Sequence, residues 1–180
     1  MENTHRKAQA DRILYEFGLM ERLEQIGKPH IIGSYRMDMM AWNDLDIDIE
    51  NDAMSLEALY ALTAFILEKF RPDWYEAKQV LDDKGREAWF HGFETTVTGE
   101  KWNIDLWFFC RDTIAAAEEY CDSIAKRATA QQRENIVSIK QELIRRELYC
   151  FEKITSMDVY AAVLENGVEG IEGFLKLYRG

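Results

Sequence analysis

Residues 44–50 alternate acidic and aliphatic side chains without interruption. The acids are Asp44, Asp46, Asp48 and Glu50, and the aliphatic residues between them are Leu45, Ile47 and Ile49. Strict alternation predicts a strand with one face in the core, because successive side chains point to opposite faces of a sheet. The aliphatic side chains then face the core. All four acids share the other face, roughly 7 Å apart at successive positions.

Negative charge is concentrated around this strand, and only the neighbouring segments with Gly33-Ser34 and Asp105 favour a binding site over a plain solvated face. Residues 37–52 hold six carboxylates and neither lysine nor arginine. Aspartate is depleted in strands, and like charges on one face repel, so something must offset the cost. A solvated strand face is the alternative interpretation. Hard carboxylate oxygens suit Mg²⁺ or Mn²⁺, which predicts a divalent cation shared by two of these acids.

A short apolar run precedes the acidic strand and ends at Gly33 and Ser34. A glycine at this point permits close approach of the backbone to a ligand. The serine hydroxyl and the adjacent amides can hold phosphate oxygens. Arg36, two residues further on, is the best placed cation for a phosphate, with an ordinary surface arginine as the alternative.

Asp105 is the acid within the strongly apolar segment 102–109. A carboxylate buried there is costly unless a cation or hydrogen bonds receive it. Pairing this segment with the acidic strand would place Asp105 against Asp44 and Asp46. A surface acid on an edge strand is the alternative.

Periodicity along the rest of the chain predicts an α+β protein. Helices are expected at 4–26, 56–70, 112–128, 131–152, 156–165 and 171–178, and strands at 74–81, 87–97 and 101–109. Ser55 is the expected N-cap of the second helix. The outline is a small mixed sheet flanked by helices over residues 1–110, followed by a helical region, 111–180, packed on that core.

The composition of this 180-residue chain limits the classes of partner that it is expected to bind. Lys and Arg number 22 against 33 Asp and Glu, a formal charge of -11, which makes nucleic acid an unlikely partner. A small anionic substrate stays possible if metal ions and local cations receive it. Three cysteines without CxxC spacing, and the lack of a signal or membrane segment, predict a cytoplasmic protein without membrane contact.

The resemblance to a known family lies in three ordered segments: Ile32-Gly33-Ser34, Asp44-Leu45-Asp46-Ile47 and Ile104-Asp105-Leu106. Together they resemble the nucleotidyltransferase superfamily that includes polymerase beta. Residues 33–38 and 44–48 are most similar to the Gly-Gly-Trp and Asp-Ile-Asp regions of lincosamide and aminoglycoside nucleotidyltransferases. The resemblance covers residues 28–109, and Ser34 stands where those drug-modifying enzymes have a second glycine.

The resemblance implies transfer of a nucleoside monophosphate from a nucleoside triphosphate such as ATP to a hydroxyl of a small molecule or protein. Asp44, Asp46 and Asp105 then have the catalytic and metal-binding roles, with two Mg²⁺ or Mn²⁺ ions. Gly33 and Ser34 would contact the triphosphate, together with Arg36. The sequence does not identify the acceptor.

Several alternatives stay open. Asp46 with Asp48 is the second choice of metal pair. Lys140, in a locally basic stretch of the helical region, is able to reach a triphosphate or to lie on a solvated helix face. At the level of function, the alternative is a catalytically inactive domain that serves as a binding module or as a toxin–antitoxin component.

Overall fold

A computed structural model describes residues 2–150 and 153–179. The strands are β1 (Lys28–Ile31), β2 (Asp44–Glu50), β3 (Trp74–Leu81), β4 (Glu87–Val97) and β5 (Glu100–Phe109). The α-helices are α1 (Glu2–Asp11), α2 (Leu19–Glu24), α3 (Gly33–Arg36), α4 (Leu56–Phe70), α5 (Arg111–Arg127), α6 (Ala130–Arg145), α7 (Ser156–Asn166) and α8 (Ile171–Arg179). A π-helical segment, Arg12–Glu16, lies between α1 and α2.

Within residues 28–109 the strands form one mixed sheet in the order β1-β2-β5-β4-β3. Strands β2 and β5 are parallel neighbours, and the other pairs are antiparallel. With helices flanking this sheet, the predicted α+β class is confirmed. The topology places the acidic strand and the strand that carries Asp105 side by side in the sheet.

The core-facing side of β2 carries the aliphatic residues that the alternation predicts. Leu45, Ile47 and Ile49 are fully buried in a cluster that also holds Leu62 and Ile66 of α4. A second buried cluster joins Met37 and Met39 to residues of α5, α6, α7 and α8. The acidic face of β2 contacts α3 and α5 instead. The helical region thus covers the side of the sheet on which the acids lie.

Local signals place several elements where the sequence predicts them. The amide of Ala58 donates to Ser55 Oγ at 3.1 Å, so Ser55 is the N-cap of α4 as expected. Between β4 and β5 the chain turns through Thr98 and Gly99, with φ values of 50° and 82°. These turns satisfy local backbone requirements, which is why short sequence patterns suffice to locate them.

Two predicted helices differ from the structure. The helix predicted at 4–26 is interrupted after the π-helical segment, because Gly18 adopts a left-handed conformation with φ 78°. The apolar residues on both sides of the break are still buried. The helix predicted at 131–152 ends at Arg145, where Glu147 turns the chain with φ 56°, and residues 151 and 152 lie outside the described part. No helix within the described residues is long and apolar enough to cross a bilayer.

Candidate active site

Neighbouring parallel strands bring the three predicted acids together. In the register of β2 with β5, Asp46 lies opposite Asp105 and Asp44 lies opposite Asn103. The side-chain amide of Asn103 donates to Asp44 Oδ1 at 2.9 Å. Asp44, Asp46 and Asp105 all line one cavity of about 1070 Å³. Chain segments about sixty residues apart thus supply carboxylates to the same surface.

Gly33 lies directly against the carboxylate of Asp46. A Cβ atom at position 33 would lie 2.2 Å from Asp46 Oδ2, and Gly33 has φ 63°. Both facts require glycine, one by contact and the other by backbone conformation. Ser34 follows in the first turn of α3, is buried and lines the same cavity. The structure therefore brings Gly33 and Ser34 to the predicted acids.

Lys140 of α6 is the buried cation of this cavity. Its side chain is 2% exposed, and Nζ lies 4.4 Å from the ring centroid of Trp42 and 5.4 Å from that of Tyr160. Burial lowers the pKa of Lys140 to about 8, while Asp44 and Asp46 oppose that shift by favouring the ammonium form. Cation–π contacts and two carboxylates thus compensate an ammonium that burial would otherwise penalise.

The three acids of the cavity have raised pKa values. Burial raises the pKa of Asp46 well above its ordinary value, and the carboxylates of Asp44 and Asp105 raise it further. Burial also raises the pKa of Asp105 to about 6. The pKa of Asp44 is likewise raised by burial. Carboxylates that raise one another's pKa values are stabilised in their ionised form when a cation binds beside them.

Comparison with known proteins gives a fold and no close relative. No model of a known protein family and no curated protein matches the sequence. The Cid1 poly(U) polymerase with MgGTP bound matches at a TM-score of 0.60 and 15% identity, over 89% of this chain and 50% of that one. A cytoplasmic RNA terminal U-transferase matches at 0.58 and 15%, over 89% and 47%. The GLD-2 non-canonical poly(A) polymerase, in complex with GLD-3, matches at 0.55 and 14%, over 94% and 55%.

These enzymes are members of the nucleotidyltransferase superfamily. This chain has the nucleotidyltransferase fold. The resemblance found in the three short sequence segments is therefore confirmed for the fold. At these identities the likeness concerns the fold alone, and the chain spans about half the length of the structures that it matches.

Asp48 lies on the same strand of the nucleotidyltransferase fold but apart from the cavity. It is 2% exposed, does not line the cavity, and is paired in register with His30 of β1 on one side and Trp107 of β5 on the other. Burial raises the pKa of Asp48 to about 7, with a further contribution from Glu118. This geometry favours Asp44 with Asp46 over Asp46 with Asp48.

Arg36 is not placed where the sequence predicts it. It does not line the cavity, and its guanidinium donates through Nε and Nη2 to Asp122 at 2.7 and 2.9 Å and through Nη1 to Glu118 at 2.8 Å. These two acids of α5 satisfy the charge of Arg36 and hold α3 against α5. Arg36 thus joins two helices in this structure. The sequence does not reveal this contact, because the two partners lie more than 80 residues away along the chain.

Sequence reasoning left Lys140 undecided, although the helix holds a signal. Ile136, Ile139 and Leu143 form the buried face of α6, and Lys140 falls on that face by helical spacing. A lysine at a core-facing position indicates a buried partner, which here is the acidic face of β2. The basic stretch around it indicates a helix face turned toward the acidic cleft, but a solvated helix face explains the same stretch, so the sequence leaves both open.

The donor chemistry of the site fits a divalent cation. Asp44, Asp46 and Asp105 supply hard carboxylate oxygens. Burial is the main cause that raises their pKa values, and neighbouring carboxylates add to it at Asp46 and Asp105. In their present positions no three metal-ligating side chains among the described residues converge closely enough to hold an ion. Binding would therefore need side-chain rotation on strands that already place the carboxylates on one surface.

Proposed function

We propose that this chain is a nucleotidyltransferase that moves a nucleoside monophosphate from a nucleoside triphosphate to a hydroxyl group. The observation that carries the proposal is one cavity, in a nucleotidyltransferase fold, lined by Asp44, Asp46, Asp105, Gly33 and Lys140. In this proposal residues 1–110 form the catalytic core. Residues 111–180 form the helical region that supplies the buried lysine.

The triphosphate lies between Gly33, Ser34 and Lys140. Gly33 leaves room for the Asp46 carboxylate against the start of α3, and the hydroxyl of Ser34 beside it donates to a phosphate oxygen. The ammonium of Lys140 is itself buried, and a buried charge stabilises nearby negative charge more strongly than a charge in water does. Phosphoryl transfer depends mainly on such positioning and neutralisation, because the protein supplies little covalent chemistry.

Asp44, Asp46 and Asp105 hold the divalent cation, which we propose to be Mg²⁺ or Mn²⁺. When bound, such an ion neutralises phosphate charge and lowers the pKa of the attacking hydroxyl. Asp105 also accepts the proton of that hydroxyl, since it lies on the β5 side of the cavity, away from Gly33 and Ser34.

In this proposal the acceptor is a hydroxyl of a small molecule or a protein side chain, as the resemblance to the drug-modifying nucleotidyltransferases implies. An RNA end is the second candidate, because the matching structures are a poly(U) polymerase, an RNA terminal U-transferase and a poly(A) polymerase. Those names count against the expectation that nucleic acid is an unlikely partner. The charge of -11 counts on the other side.

Thermal denaturation of the full chain with ATP, GTP, CTP or UTP, each with and without Mg²⁺, tests the proposal. A bound ligand stabilises the folded state according to its concentration and affinity. We expect at least one nucleotide to raise Tm by several degrees only when Mg²⁺ is present. The Asp46→Ala variant should lose this shift, and Asp48→Ala should retain most of it.

The same experiment addresses the inactive-module alternative. No shift with any of the four nucleotides would favour a catalytically inactive domain and overturn the proposal. A shift abolished by Asp48→Ala as completely as by Asp46→Ala, and retained by Asp44→Ala, would show that Asp46 with Asp48 is the metal pair.

A further inference from the structure

The cavity continues past the acids onto the outer strands of the sheet. The register places Asp46, Asp105, Gly92 and Glu76 in one row across β2, β5, β4 and β3. The row on one side contains Trp74, and the row on the other contains Phe90. Trp74, Glu76 and Phe90 all line the cavity. The surface next to Asp105 therefore lies at the opposite end from Gly33 and Ser34.

Two aromatic rings lean over Gly92 at this end of the cavity. A Cβ atom at position 92 would lie 2.5 Å from Phe90 Cζ and 3.0 Å from Trp74 Cη2. Phe90 is 7% exposed and packs on Trp107 with ring centroids 4.5 Å apart. Trp74 is 42% exposed. We call Trp74 and Phe90 the aromatic shelf. It consists of the buried ring of Phe90 and the exposed indole of Trp74, in the part of the cavity next to Asp105.

The charges around the aromatic shelf disfavour a phosphate chain. Glu76 and Glu94 line the cavity here, and Lys78 is paired with Glu76 at 3.1 Å. Lys101 is paired with Glu94. The other cation among the described cavity residues, Lys140, is buried near Asp44 and Asp46. Lys78 and Lys101 are each neutralised by a glutamate, so the described residues of the shelf supply no unpaired cation for the electrostatic attraction on which nucleic-acid binding depends.

We propose that the aromatic shelf binds the acceptor, and that this acceptor is a small compound without negative charge that carries a planar ring next to its reacting hydroxyl. A planar ring stacks on the exposed indole of Trp74, as aromatic pairs prefer, and contacts the edge of Phe90, whose ring is covered by Trp107 and by the Lys78 ammonium 5.2 Å from its centroid. Its hydroxyl then lies beside Asp105. The inference rests on the proposed function, which makes Asp105 the group on the acceptor side.

A matched pair of probes tests the shelf: phenyl β-D-glucopyranoside and methyl β-D-glucopyranoside, which share hydroxyls and differ in the ring. Their affinities for the full chain, with Mg²⁺ and nucleotide present, are measured by ligand-observed NMR. We expect the phenyl compound to bind at least tenfold more tightly. Trp74→Ala should abolish that preference and Trp74→Phe should keep most of it. Leu81→Ala, an exposed position on the same strand, should leave it unchanged.

Equal affinity of the two glucosides, or a preference that survives Trp74→Ala, would overturn the inference. So would a single-stranded r(U)15 oligonucleotide that binds in a Trp74-dependent manner and displaces the phenyl compound. Tm shifts with nucleotide and Mg²⁺ are recorded on the same samples. If a nucleotide binds but the phenyl compound is not preferred, only the inference about the aromatic shelf is wrong. If the phenyl compound is preferred but no nucleotide binds, the proposed function is wrong, and the shelf is not an acceptor site.

Discussion

At the scale of single residues, Gly33 is the position that links backbone conformation to the site most directly. Its φ of 63° and its contact with Asp46 are two separate requirements for glycine. Gly99 in the β4–β5 turn shares only the first requirement, with φ 82° and no heavy atom within 4 Å of a Cβ. Substitution of Gly99 therefore measures backbone strain alone, whereas substitution of Gly33 adds the displacement of the Asp46 carboxylate.

We predict that Gly99→Ala lowers the free energy of unfolding by about 1 kcal/mol, the cost of a left-handed alanine, and that Gly33→Ala lowers it by more, because its methyl group would also lie 2.2 Å from Asp46 Oδ2. Only Gly33→Ala should also abolish the Mg²⁺-dependent Tm shift by nucleotide, because its methyl group displaces the Asp46 carboxylate. Urea denaturation and thermal denaturation measure the two effects. An unchanged nucleotide shift in Gly33→Ala would show that the position of Asp46 is not critical.

Sequence reasoning performed unevenly at this scale for physical reasons. The alternation along residues 44–50 is a local pattern, and it correctly placed the acids on one face of a strand. Lys140 and Arg36 depended on partners distant in the chain: the burial of Lys140 requires α6 to pack against β2, and the partners of Arg36 are Glu118 and Asp122. Such tertiary pairings leave no local periodicity to identify them.

At the scale of elements, Lys140 connects the helical region to the sheet. Its ammonium is the buried positive charge that Asp44 and Asp46 face, and burial together with these acids determines its pKa. Removal of one partner from a buried charge cluster leaves the others uncompensated. The interaction of α6 with the acids of β2 should therefore depend on this side chain.

We predict that Lys140→Met lowers the free energy of unfolding at pH 8 by about 3 kcal/mol, since it leaves buried carboxylates without their cation. It should also weaken nucleotide binding at least tenfold. Arg145→Met is the matched control on the same helix, because Arg145 is exposed and forms a surface ion pair with Glu142. Equal effects of the two substitutions, measured by urea denaturation and titration calorimetry, would contradict this role.

Whole elements were predicted more accurately than their ends. The predicted helix 56–70 and strands 74–81 and 87–97 agree with the structure, because N-caps, prolines and turns mark them locally. The break at Gly18 and the early end of α6 at Arg145 were missed. In both places the apolar spacing continues past the break, so periodicity alone extends the helix too far.

At the scale of the whole molecule, stability should depend on pH through His91. His91 is fully buried, Tyr75 Oη lies 3.0 Å from its Nδ1, and burial lowers its pKa from 6.5 to about 4. As pH falls, the unfolded chain binds the proton first. The stability that neutral His91 contributes is therefore present above about pH 6.5 and is lost progressively towards pH 4.

We predict that the wild-type protein loses about 3 kcal/mol more stability than His91→Gln between pH 7 and pH 4, from a shift of 1.36 kcal/mol per pKa unit. Urea denaturation at several pH values measures the difference, in which the contributions of the shared carboxylates cancel. Parallel pH profiles for the two proteins would mean that His91 is protonated as easily in the folded state as in the unfolded one.

In the proposed reaction the chain breaks the bond between the α and β phosphates of a nucleoside triphosphate. The most direct measurement is ³¹P NMR of the full chain with Mg²⁺, each of the four nucleoside triphosphates, and glycerol with phenyl β-D-glucopyranoside as acceptors. We predict pyrophosphate from the wild type and from Asp48→Ala, and none from Asp46→Ala. Absence of pyrophosphate with every nucleotide, release of orthophosphate in its place, or equal pyrophosphate from Asp46→Ala would contradict the account.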